Sequence, residues 1–140
     1  MFKYLRNLNN SSHPTEVFSY IGVAYDEFTP PIEVGDLISI ICGEVCSNFE
    51  PTNPLYLALS SKKEGETKII KCIRLPSGTV LEGDVKSDLA SSEVAPGCLC
   101  GAYIDPNRNM GVSITSEGEH IFEVIDNSNF NAGKISVVVI

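Results

Sequence analysis

Five cysteines are the residues of this chain best suited to chemistry by type. Cys42 and Cys46 are four apart, and Cys98 and Cys100 are two apart. Four thiolates could hold a structural zinc if the two segments met, but zinc sites present Cys-x-x-Cys in a tight knuckle, and neither spacing matches. On a strand, Cys98 and Cys100 point to one face and Leu99 to the other. Packing as small hydrophobes in the core is the favoured reading, with a metal site or a disulfide as alternatives. Asp105, Asn107 and Asn109 resemble the alternating oxygen ligands of a calcium loop. Such a loop needs Gly at its sixth position and Glu at its twelfth, where this chain has Met110 and Ser116. The segment reads instead as a turn, because Pro106 presets φ while Asp and Asn bond to the local backbone.

His120 stands at the start of an apolar run and His13 in a polar stretch. Neither has a nucleophile and an orienting group at a recognisable spacing, so His120 is expected to be exposed or locally hydrogen-bonded. The carboxylates Glu44, Glu50, Asp84, Glu93 and Glu117 fall in or near expected loops, and such a set carries no information about glycosidase-type pairs. No phosphate-binding glycine loop or dinucleotide fingerprint is present. These residues give no reason to expect an enzyme, a cofactor or a metal.

The elements that would position any site are β-strands. Leu37–Cys42, Leu55–Leu59, Lys68–Leu75, Thr79–Glu82, Val112–Thr115, Ile121–Ile125 and Ile135–Ile140 are apolar or alternating runs, cut by turn residues every eight to twelve positions. Lys68–Leu75 is expected to pair antiparallel with Leu55–Leu59 across the charged tip at 60–67. The last run has Ser136 as its only polar residue, so it should be covered on both faces, as a central or inter-subunit strand. Asp84–Ala95 holds the one plausible helical turn, ended by Pro96-Gly97. Glu16–Tyr25 could be an early strand. Met1–Thr15 is polar and reads as a flexible or extended arm, which a partner's sheet edge could order; the alternative is an unstructured tail. Pro30-Pro31 blocks helix and central strand, placing the entry to the folded domain near Ile32. The expected fold is mostly β: a compact β-barrel or β-sandwich-like domain over 32–140 with one short helix, preceded by an arm and early strand over 1–31.

A chain of 140 residues with 43% hydrophobic content can bury a core. Its net charge of −8, with Lys and Arg scattered, argues against nucleic acid and fits docking onto a basic protein surface. No run of about 18 apolar residues suggests a membrane span, and no basic region followed by an apolar stretch suggests a signal peptide.

The order of segments resembles that of tailed-bacteriophage capsid decoration, or head-stabilising, proteins. The matching pieces are Val34-Gly35-Asp36-Leu37-Ile38, Ser77-Gly78-Thr79-Val80-Leu81, Leu89-Ala90 with Ala95-Pro96-Gly97, Gly111-Val112-Ser113-Ile114-Thr115, Gly118–Val124 and Gly133-Lys134-Ile135-Ser136-Val137. The resemblance covers roughly 34–140 and is one of layout. It implies a structural virion protein, made in the host cytoplasm, that binds the outer capsid surface and bridges major capsid subunits as a homotrimer. It further implies that the N-terminal segment docks on the major capsid protein, which makes Phe2, Tyr4, Leu5, Leu8, Val17 and Phe18 the candidate partner contacts. The alternatives are another phage structural component, such as a head fibre base or tail protein, or an unrelated small ligand-binding β-barrel.

Overall fold

The computed structural model describes residues 1–8, 16–46 and 54–140. It is mostly β, with two sheets, one of them a closed barrel. The described strands are β1 (Phe2–Asn7), β2 (Val17–Gly22), β3 (Leu37–Ile41), β4 (Glu44–Cys46), β5 (Tyr56–Ala58), β6 (Lys68–Arg74), β7 (Thr79–Asp84), β8 (Leu99–Ile104), β9 (Met110–Ser113), β10 (Phe122–Asp126) and β11 (Lys134–Val139). The chain divides into two units: Met1–Ser12 with Pro76–Ile140, and His13–Leu75. The boundary expected near Ile32 is therefore not where the chain divides. Ile32 bridges to Lys62 inside the second unit, and Pro30-Pro31 lies in the connection between two strands of one barrel.

In the first unit the strands run in the order β1-β7-β11-β10-β8-β9. The apolar run at the C-terminus becomes β11, flanked by β7 and β10, so it is central as expected. Val137, Val138 and Val139 are all buried, which places apolar side chains under cover on both faces. Phe2, Leu81, Phe122, Val124, Ile135 and Val137 are among its buried apolar residues. The two ends of this sheet approach each other. Val85, just past β7, bridges in parallel to Val112 of β9, and the Lys86 N–H donates to the Val112 carbonyl at 3.0 Å. Gly83 marks the convergence. A Cβ there would stand 2.8 Å from the Phe2 ring on β1 and 2.9 Å from Val112 on β9, so only glycine admits both.

This arrangement corrects the reading of the first residues as an arm awaiting a partner. Phe2–Asn7 already pairs antiparallel with β7, in register Phe2↔Gly83 to Asn7↔Thr79, with a bulge between Tyr4 and Arg6. A short bulged edge strand carrying Lys3 and Arg6 discourages further strand addition. Residues 9–15, the remainder of the expected arm, and residues 47–53 lie outside the described residues.

The single helical turn expected in Asp84–Ala95 is a 3₁₀ turn, Ser91–Val94. The Glu93 carboxylate accepts from the Ala90 N–H at 2.8 Å, and Val94 is buried beneath it. Two further 3₁₀ turns are Glu117–Glu119 and Phe130–Ala132.

The second unit is a closed barrel, β2-β4-β3-β5-β6, whose ends join through a six-residue β2–β6 antiparallel ladder. Closure leaves the barrel no free edge. Its core is Ile32, Ile38, Val45, Ala58, Ile70 and Cys72. The pairing of β5 with β6 across the charged tip is as the sequence predicts. Between β3 and β4, Cys42 and Gly43 both have positive φ, 51° and 80°, the geometry of a two-residue type I′ hairpin.

Candidate protein-binding surface

The residues singled out for chemistry do not converge. Among the described residues no group of three or more His, Cys, Asp or Glu could hold a metal. All five cysteines are free thiols. Cys72 and Cys100 are core residues, and burial pushes their thiols up to about 11 and about 12. Cys98 is half-buried, Leu99 opposite it is exposed, and Cys42 stands exposed on its hairpin. The Asp105 segment is the expected turn. Its carboxylate accepts from the Asn109 backbone N–H at 2.9 Å and from the Asn109 amide at 3.2 Å, which hold it below its ordinary value. His120 Nε2 lies 3.2 Å from the Thr115 carbonyl, a local bond.

Among the described members of that carboxylate set, Asp84 is the one in an ion pair. It takes the Met1 ammonium at 2.9 Å and the Lys134 ammonium, and the Met1 nitrogen also donates to the Met110 carbonyl. Burial pushes the Asp84 carboxyl up, but the bonds from Lys134 and the N-terminus outweigh it and hold the group below its ordinary value. A carboxylate depressed in the folded state stabilises fully above its unfolded value, about 3.9, and loses that contribution as pH falls through the folded value. Because its side chain is 36% exposed, solvent screening limits the effect to about 1 kcal/mol. Urea midpoints should hold from neutrality to about pH 5 and fall below pH 4, more steeply than in Asp84→Asn. Equal slopes would show that the cluster contributes nothing.

Buried Lys62 spans the barrel wall. Its ammonium donates to the Pro30 carbonyl at 3.1 Å, and its stem packs on Gly22. Burial lowers its pKa, and Glu66 opposes that shift.

The six residues proposed as partner contacts separate between the units. Phe2 is buried, its ring centroid 5.5 Å from that of Phe122, and is structural. Tyr4 is half-buried, while Leu5 and Leu8 are exposed on or beside the edge strand. Val17 is exposed on the outer wall of the barrel. Phe18 packs with Tyr20 and Tyr56, at centroid distances of 6.1 and 6.3 Å, against the barrel core. Desolvation, and then Tyr20, raises the Tyr56 hydroxyl.

What the barrel does bring together is an apolar row on its outside. Ile21 on β2 pairs with Ile69 on β6, and on its other side with Glu44 on β4, which pairs in turn with Ile41 on β3. Cross-strand partners project to one face, and the three isoleucines are exposed. The Tyr25 hydroxyl donates to the Glu44 carboxylate, which, with desolvation, raises the tyrosine above its ordinary value. Tyr25 belongs to a turn held by its own N–H on Thr29 Oγ1 at 3.0 Å and by the Phe28 N–H on Asp26 Oδ1 at 2.8 Å. Tyr25 and Phe28 are 76% and 71% exposed, beyond every other large apolar side chain among the described residues. Sequence reasoning took Tyr25 for a strand residue and passed over Phe28. The readable signal was two aromatics interleaved with acids ahead of a double proline, in Ala24-Tyr25-Asp26-Glu27-Phe28-Thr29-Pro30-Pro31.

No helix among the described residues is long and apolar enough to cross a membrane. Comparison with protein-family models, curated proteins and solved structures finds no match.

Proposed function

We propose that this chain is a non-catalytic virion protein that binds the outer surface of a phage capsid and stabilises the shell by bridging major capsid subunits. The observation that carries the reading is the placement of large apolar side chains on outward strand faces and turns, Val17, Ile21 and Ile69 in one unit and Leu99 and Ile114 in the other. Exposed apolar and aromatic side chains within a polar surround mark protein-binding surfaces. The order of segments, which resembles that of capsid decoration proteins, supplies the kind of partner. Interfaces repeated over a symmetric lattice add, so a cap of modest affinity per contact can hold a shell closed. On this reading the protein acts as a homotrimer on the virion exterior after synthesis in the host cytoplasm, and uses no cofactor.

The test is co-sedimentation with shells assembled from the major capsid protein encoded in the same genome. Saturable binding is expected, together with a light-scattering mass of about 46 kDa, three times the 15.2 kDa chain, for the preformed trimer. Absence of shell binding rejects the proposal; binding by a 15.2 kDa monomer retains the capsid role and rejects the preformed trimer.

The runner-up is a ligand-binding barrel, favoured by the half-buried Phe18, Tyr20 and Tyr56 rings. Weighing against it, Ile38, Ala58, Ile70 and Cys72 behind them are completely buried in a filled interior.

A further inference from the structure

We infer that the barrel docks on the capsid shell through Tyr25, Phe28 and the Ile69–Ile21–Glu44–Ile41 row, and that the partner surface is apolar with Lys or Arg at its rim. This rests on the capsid-binding reading above and names the surface and the chemistry of its partner.

Three observations single out this face. Its aromatics are the most exposed of the described large apolar side chains, and Tyr and Phe are the types that carry binding energy when desolvated. They are also pre-ordered. The Tyr25 hydroxyl is tied to Glu44, and the backbone of the 25–29 turn is closed by bonds to Thr29 and Asp26, so the turn and the Tyr25 ring are positioned before binding. Finally, the face is acidic. Glu44 lies within the row, Asp26 and Glu27 lie between the two aromatics, and Glu64 is on the turn packed against Glu27. The cations at its margin are Lys63, beside Glu64 on that turn, Lys68, opposite Gly22, and Lys71, opposite Ser19 on the same side of β6 as Ile69.

Among the described residues Glu44 has the Tyr25 hydroxyl and no ion pair with a basic side chain. Covering it with an apolar surface alone would strand a carboxylate. A second copy would oppose acid to acid, in a chain whose net charge is already −8. A basic side chain from the shell satisfies the carboxylate and steers the encounter. Self-association through this face does neither.

The experiment is shell co-sedimentation as above, with full-length variants whose thermal midpoints are first measured by circular dichroism. Tyr25→Ala/Phe28→Ala should fold normally, since both side chains are exposed, and should weaken shell binding on the order of 30-fold. Ser92→Ala/Glu117→Gln, exposed polar positions in the other unit, should bind within about twofold of wild type. Glu44→Gln keeps an acceptor for Tyr25 while removing the charge, and should bind more weakly with a shallower salt dependence. Wild-type binding with the aromatic double variant equally tight would overturn this surface and leave the capsid reading standing. No binding by wild type would overturn both. Loss of binding accompanied by conversion of the free protein from oligomer to monomer in sedimentation velocity would make the face a self-interface, and would overturn the assignment to the shell.

Discussion

Val138→Asp is expected to leave the unit built on β11 unfolded at room temperature. Val138 is 5% exposed on the central strand of the six-stranded sheet, where its cross-strand partners are Val80 on β7 and Glu123 on β10. Val80 is itself buried, and among the described residues no basic side chain is paired with Glu123. The new carboxylate would therefore be desolvated beside an aliphatic neighbour and opposite a like charge, and both terms are unfavourable. Burying an unpaired charge costs several kcal/mol, comparable with the whole stability of a small domain, about 5–15 kcal/mol. Circular dichroism and urea titration read the result directly. Val138→Thr is the control for shape, expected to lose only about 1–3 kcal/mol through a buried hydroxyl. A cooperatively folded Val138→Asp protein with an unshifted midpoint would show that this face of β11 is open to water.

That strand was legible because its sequence permits one arrangement. Three consecutive valines leave both faces apolar, and a strand apolar on both faces belongs in the middle of a sheet. Cys98, Leu99 and Cys100 were legible for a related reason: period-two alternation fixes which side chains share a face whatever the neighbouring strands are. The barrel's β5–β6 hairpin followed from two apolar runs and a charged tip between them. All of these signals are local.

What escaped the sequence is non-local. Phe2–Asn7 has one buried residue in six, Phe2, because an edge strand exposes most of its side chains. With only one apolar position fixed, its pattern is indistinguishable from that of a polar arm. Its partner β7 is about 75 residues away, so the pairing left no mark on its neighbours in sequence. The division into two units was hidden for the same reason: the first is discontinuous, and Pro30-Pro31 resembles a boundary while lying inside the second. The candidate surface is split in the same way. Ile21, Ile41, Glu44 and Ile69 become neighbours only through barrel closure, and no spacing rule relates them.

Phe2→Ala carries the second large effect, and it separates a structural N-terminus from a docking one. The Phe2 ring is 2% exposed, lies against Phe122 at 5.5 Å, and occupies the space over Gly83 that a Cβ would fill. Truncation to Ala removes most of that ring from a core with no side chain at Gly83 to relax into the void, a loss of about 3–5 kcal/mol. The midpoint of thermal unfolding should fall by on the order of 10 °C. Leu5→Ala, at an exposed bulge position of the same strand, should stay within about 0.5 kcal/mol of wild type. Deleting residues 1–7 should cost at least as much as Phe2→Ala, because the β7 edge would then lose its ladder as well as the ring. A docking arm predicts the reverse: unchanged stability on deletion, with loss of shell binding as the sole defect. The contrast is decisive because Phe2 and Leu5 share a strand and differ in burial. A midpoint that drops for Phe2→Ala and holds for Leu5→Ala ties the first strand to its own sheet. Equal, small shifts in both would return it to the role of a free arm.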